Sequence, residues 1–128
     1  MIAVDTSALM AIVLDEPAAD ACIAALEAED QILISAGTVA EALIVAARRN
    51  VGREMASIID GLGFEVVTVT PGAARRIANA YEAWGKGVSK SGVLNFGDCF
   101  AYVVAKEHAC RLLYVGKDFS GTDLKSVL

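Results

Sequence analysis

Three acids stand alone in uncharged sequence. Asp5 is the only charged residue in positions 1–14, Glu41 the only one in 32–47, and Asp98 the only one in 91–105. A fourth, Asp118, follows the apolar run Leu112–Val115. Most of the other acids keep charged company, as in Asp15–Glu16 and Glu27–Glu29–Asp30, the pattern of a solvated surface. A carboxylate set among apolar residues is costly to bury unless it is paired, hydrogen-bonded or bound to a cation. None of the three segments offers a Lys or Arg, so a metal ion would supply the missing charge. Carboxylate oxygens alone point to Mg²⁺ or Mn²⁺, hard ions that keep several waters and bind phosphate alongside. Each acid also has a plainer role. Asp5 suits a helix N-cap, Asp98 the positive end of a helix dipole, and Asp118 a turn. Thr38-Val39-Ala40-Glu41 fits a capping box. Together, three uncharged stretches each broken once by an acid near a helix start predict a shared oxygen-ligand site.

Elements must bring these residues together. Ile2–Val4 is a short buried-type strand, and Asp5-Thr6-Ser7 offers capping oxygens for a helix through Ala8–Leu14. Pro17 fits the start of a helix over Ala18–Glu29. Ile32–Ser35 reads as a strand, followed by a turn at Gly37 and a helix from about Thr38 to Arg49. A further helix spans Arg53–Leu62, and Phe64–Thr70 is a β-branched strand. Helix Pro71–Trp84 leads to a Gly/Ser/Lys loop, Gly85–Gly92. Asn95 caps a helix through His108, Leu112–Val115 is the last clear strand, and Ser126–Leu128 adds a short edge. Strands alternating with helices predict a single α/β domain over 1–128, a three-layer α/β/α sandwich around a mostly parallel four- to five-stranded sheet. Ligands of such sheets bind beyond the carboxyl ends of the strands, where Asp5 and Asp118 fall.

Composition narrows the chemistry. The chain has 128 residues, 55% of them apolar and 21% charged, which excludes a disordered chain. Its net charge of −5 is uneven: residues 1–47 hold eight acids and no Lys or Arg, and residues 48–128 hold eleven bases against eight acids. An acidic total argues against gripping nucleic acid by bulk positive charge, though not against a metal-assisted nuclease. The start MIAVD lacks a basic signal-peptide region. The longest strictly apolar runs, Ala8–Leu14 and Cys99–Ala105, are far too short for a membrane span. Cys22, Cys99 and Cys110 are odd in number and without CxxC spacing, so a reducing cytoplasm is expected. The high apolar content hints at an oligomer. The single histidine, His108, fits a helix C-terminus and leaves no basis for a zinc site or a two-histidine ribonuclease. P-loop, GxGxxG and GxSxG motifs are absent.

The stretches MIAVDTSALMAIVLDEP, ISAGTVAEALIVAARR and LNFGDCFAYVVAKEHACRLLYVGKDFSGTD together resemble the PIN-domain family, and within it the VapC-type toxins of bacterial toxin–antitoxin pairs. The resemblance runs from Met1 to about Asp123. By motif, Asp5, Glu41 and Asp98 look like the family's metal-binding triad and Asp118 like its more variable fourth acid. Ser7 resembles a hydroxyl that orders the site, with capping as its alternative, and the closeness of Asp123 to Asp118 leaves open whether one or both reach it. The resemblance implies an Mg²⁺- or Mn²⁺-dependent endoribonuclease in which the ion activates water and the products are a 5′ phosphate and a 3′ hydroxyl. It also implies a homodimer and inhibition by a VapB-like antitoxin whose C-terminal segment covers the site. The loop GVSKSG at 87–92 is less basic than the family's. Arg48, Arg49, Arg53, Arg75, Arg76, Lys86 and Lys90 are candidates for phosphate contacts, and Tyr81 and Trp84 for base stacking, against plain surface or core roles. A receiver domain fails because Phe64–Thr70 ends in Thr-Pro, without an acceptor Asp. An RNA-processing nuclease without antitoxin and a catalytically silent interaction module are the remaining alternatives.

Overall fold

The structure is a computed structural model and describes residues 1–88, 90 and 92–128. Short apolar runs build the sheet: β1 (Ile2–Val4), β2 (Ile32–Ser35), β3 (Glu65–Val67) and β4 (Arg111–Leu113) pair in parallel in the order β3-β2-β1-β4. Six helices connect them: α1 (Thr6–Val13), α2 (Ala19–Glu27), α3 (Ala36–Arg48), α4 (Gly52–Gly61), α5 (Pro71–Trp84) and α6 (Phe96–Glu107). The strand periodicity of two divides the core. Ile2, Val4, Ile32, Ile34 and Leu113 face α1–α4, while Ala3, Leu33 and Leu112 face α5 and α6. Both faces are therefore covered, as a parallel sheet requires, and the expected α/β/α layering is found.

Connection order creates the site. From β1 the chain moves to β2 on one side, and β4 then joins β1 on the other, with Ile2, Ala3 and Val4 paired to Arg111, Leu112 and Leu113. The carboxyl ends of β1 and β4 thus flank the point where the winding reverses, the usual ligand crevice of open α/β sheets.

Several boundaries differ from expectation for identifiable reasons. Ser35, not Thr38, caps α3 by accepting from the Gly37 N–H at 3.2 Å, so Gly37 lies inside the helix and not in a turn. Thr38 Oγ1 has no hydrogen-bond partner, so the capping box with Glu41 does not form. The strand expected over Phe64–Thr70 shortens to Glu65–Val67 at the sheet edge, where Glu65 and Val66 are exposed. The C-terminal edge is a single bridge, Leu112 to Ser126. The expected loop Gly85–Gly92 is closed by a bridge from Gly85 to Leu94; Ser89 and Ser91 within it lie outside the described residues.

Candidate active site

The three isolated acids and Asp118 arrive from different parts of the chain. Asp5 ends β1 and caps α1; its Oδ2 accepts from the Ser7 N–H at 3.0 Å and from the Ser7 hydroxyl at 2.6 Å. The same hydroxyl oxygen accepts from the Val115 N–H at 3.0 Å. Ser7 thereby ties the start of α1 to the segment leaving β4. Glu41 lies in the second turn of α3 and accepts at Oε1 from the Thr6 hydroxyl at 2.6 Å. Asp98 closes a capping box on α6: Asn95 Oδ1 accepts from the Asp98 N–H, and Asp98 Oδ2 accepts from the Asn95 N–H at 3.0 Å. Asp118 follows β4 in a loop pinned by its neighbour Phe119, 2% exposed and packed on Tyr114 with ring centroids 5.1 Å apart. Burying that side chain stabilises the loop by about 2 kcal/mol.

These four carboxylates line one pocket of about 240 Å³, together with Thr6, Ser7, Asn95 and the apolar Met10, Val45, Val115 and Phe119. No basic side chain is in that lining. Burial and mutual repulsion accordingly favour the protonated forms of Asp5 and Asp98. Asp5, 3% exposed, is pushed up to about 6, chiefly by burial, with Glu41 adding to the effect and the Ser7 hydrogen bonds opposing it. Asp98 is pushed up to about 7, again first by burial, then by the charges of Asp5, Asp118 and Glu41 against the opposing Asn95 hydrogen bond.

The donor set fits a hard divalent cation. It consists of carboxylates, its surroundings lack positive charge, and the buried Asp5 Oδ1 has no hydrogen-bond partner. Among the described residues, no three His, Cys, Asp or Glu side chains are already drawn close enough together to hold an ion. Two of the acids are instead engaged by the Thr6 hydroxyl and the Asn95 N–H.

Other candidates fall elsewhere. Asp123 turns away from the pocket, accepting from the Tyr102 hydroxyl at 2.7 Å and the Lys106 ammonium at 2.8 Å; these bonds lower its pKa. Trp84 donates to the Tyr102 hydroxyl at 3.0 Å and Tyr81 to the Lys86 carbonyl, so both aromatics pack on the α5–α6 side and neither lines the pocket. Arg76 pairs with Glu107 across α5 and α6. Arg48, Arg49, Arg53 and Arg75 are exposed, as are Lys86 and Lys90, and none of them lines the pocket. His108 caps the end of α6 and places Nδ1 3.0 Å from the Val104 carbonyl. A larger cavity of about 410 Å³ opens beside Arg111, at the opposite end of the sheet from Asp5. Sequence reasoning missed two residues at the site, Thr6 as the partner of Glu41 and Gly97 as its neighbour. A Cβ on Gly97 would fall onto Glu41 Oε2. The available signal was a glycine in the first turn of a helix that an alanine would favour.

The sequence profile of the family described as PIN domain matches residues 2–125. Ribonuclease VapC30 of Mycobacterium tuberculosis is 39% identical over 127 residues, which are 97% of this chain and 96% of that protein. Ribonuclease VapC42 of the same organism is 34% identical over 125 residues, 95% of each. Among solved structures, the Mycobacterium tuberculosis toxin VapC20, which cleaves the sarcin–ricin loop, superimposes with a TM-score of 0.79 at 19% identity, covering 99% of this chain and 98% of that one. A VapBC2 structure from Rickettsia felis, bound to a DNA fragment from its promoter, superimposes with a TM-score of 0.70 at 16% identity over 98% and 96%. At these identities the solved structures establish a common fold.

Proposed function

Because the chain belongs to the PIN-domain family, in its VapC branch, we propose that it is a metal-dependent endoribonuclease and the toxin of a toxin–antitoxin pair. One observation carries the reading: four carboxylates from four separate segments share a pocket without basic residues, and the buried Asp5 Oδ1 has no partner. Asp5, Glu41, Asp98 and Asp118 would hold Mg²⁺, or Mn²⁺ in its place, and the bound ion supplies a Lewis acid for hydrolysis of an RNA phosphodiester to a 5′ phosphate and a 3′ hydroxyl.

The chain's own contribution is orientation and proton release. Ser7 fixes Asp5 Oδ2 and leaves Oδ1 free to face a ligand. The Asn95 N–H fixes one Asp98 oxygen. With Asp98 near 7 and Asp5 near 6, Asp98 holds its proton about half the time at neutral pH and Asp5 only below it, and a proton so held must leave before the group ligates. Met10, Val45 and Phe119 supply apolar wall that limits water around the acids.

A protein partner is part of the proposal. Beside the acids, Gly37, Ala40, Ile44, Phe96 and Phe100 form an apolar groove of about 330 Å³, with Ile44 59% and Phe96 68% exposed. Such a patch supports association, here with a VapB-like antitoxin or in a homodimer. Among the described residues no helix is long and apolar enough to cross a membrane.

Purified protein incubated with RNA, followed by sequencing of the new ends, tests the reading. We expect cutting with Mg²⁺ or Mn²⁺, loss of cutting in EDTA, and loss in Asp5→Asn and Asp98→Asn, which also relieve toxicity on expression. Unchanged cutting and toxicity in either folded variant would overturn it.

A further inference from the structure

Glu41 is the acid that owes its placement least to its own helix. It has no capping duty in α3, since Ser35 caps that helix, and its carboxylate is fixed from two other elements. From α1, the Thr6 hydroxyl donates to Oε1 at 2.6 Å across 35 residues of sequence. Thr6 is 7% exposed, and α1 is already capped by Asp5, so this hydroxyl is not needed at the helix end. From α6, Gly97 presents bare backbone where a Cβ would fall onto Oε2. Gly97 has no positive φ, so the backbone does not require glycine there, and glycine is a poorer helix former than alanine. The room it leaves for Glu41 is what the position provides.

We infer that Thr6 and Gly97 are positioning residues for Glu41: one holds Oε1 by donating to it, and the other leaves the space Oε2 occupies. A carboxylate held before its ligand arrives loses less freedom on binding, and partners of metal ligands commonly alter affinity ten- to a hundredfold. The inference rests on the reading of the pocket as a metal-dependent centre and adds two residues that do not themselves ligate.

The test titrates the ion-free protein with Mn²⁺ alone and follows free Mn²⁺ by electron paramagnetic resonance, with thermal unfolding in EDTA to establish that each variant folds. Thr6→Val keeps the shape and removes the donor, and should weaken Mn²⁺ about tenfold. Thr6→Ser restores the donor and should bind within about twofold of the original chain, since the same hydrogen bond is available. Gly97→Ala, which displaces Oε2 while leaving Thr6 intact, should weaken Mn²⁺ by at least as much as Thr6→Val. In a Glu41→Gln background, Thr6→Val should add no further loss, because its effect passes through Glu41. Unchanged Mn²⁺ affinity in folded Thr6→Val, or an equal loss in the Glu41→Gln background, overturns the inference. Should Thr6→Val not fold, Gly97→Ala decides alone, an unchanged affinity overturning it and the expected loss supporting it. Failure of the underlying reading looks different: the original chain then binds no Mn²⁺, or Asp98→Asn binds it as tightly as the original chain does.

Discussion

At the residue scale, Asp98 serves the fold and the site through the same carboxylate. Its Oδ2 closes the capping box with Asn95, while burial and three neighbouring acids oppose its ionisation. Asp5 shares the second burden. Because both folded-state values lie above the ordinary 3.8, the folded ion-free protein binds more protons than the unfolded chain between pH 4 and 7. Stability should therefore be greatest at the acidic end of that window and fall as pH rises through it. For Asp5 the shift corresponds to about 3 kcal/mol at full ionisation. Urea unfolding in EDTA at pH 5 and pH 8 should show the decline, and Asp98→Asn, whose amide oxygen still accepts the capping bond, should flatten it. Added Mn²⁺ should reverse the trend, because ligating carboxylates must be deprotonated. Much of this was legible in the sequence: isolation in uncharged stretches marked Asp5, Glu41 and Asp98, which the fold gathers at one pocket with Asp118. What isolation cannot encode is which way a side chain turns. Asp118 and Asp123 look alike in sequence, yet Tyr102 and Lys106 draw the second away.

The elements were legible where local chemistry decides them and obscure where distant contacts do. Pro71 starts α5 as its type dictates, and Asn95 caps α6. The start of α3 was misplaced because Thr38–Glu41 satisfies a local pattern that Ser35, one turn earlier, pre-empts. Gly37 sits within that helix, where a Cβ would run into the Phe100 ring of α6. It is a packing glycine between two helices that each carry an acid. Gly37→Ala should therefore force the ring or the helix to move and destabilise the fold by about 1–3 kcal/mol. A lowered urea midpoint with unchanged slope would register it, and an unchanged midpoint would show that Phe100 yields freely.

For the whole molecule, the uneven charge acquires a location. Among the eight acids of residues 1–47, Asp5 and Glu41 line the acidic pocket, while Asp15, Glu16, Asp20 and Glu27 are exposed on the surface. Phosphate entering such a pocket meets like charge until a cation is present. Single-stranded RNA should accordingly bind weakly in EDTA and at least about tenfold tighter with Ca²⁺, by fluorescence anisotropy, because neutralising charge dominates affinity for phosphate. An Asp5→Asn, Asp98→Asn double variant should erase that difference.

The pairing of β1 with β4 also sets a schedule. The first acid is made at position 5, but β1 acquires its β4 neighbour only after Leu113, and Ser7 takes the Val115 N–H later still. On a ribosome adding about 5–20 residues per second, the nascent chain carries Asp5 and Glu41 long before the wall that completes their pocket exists. Under the proposed function, a cell translating this chain is shielded from an unfinished nuclease until β4 and Val115 have been made.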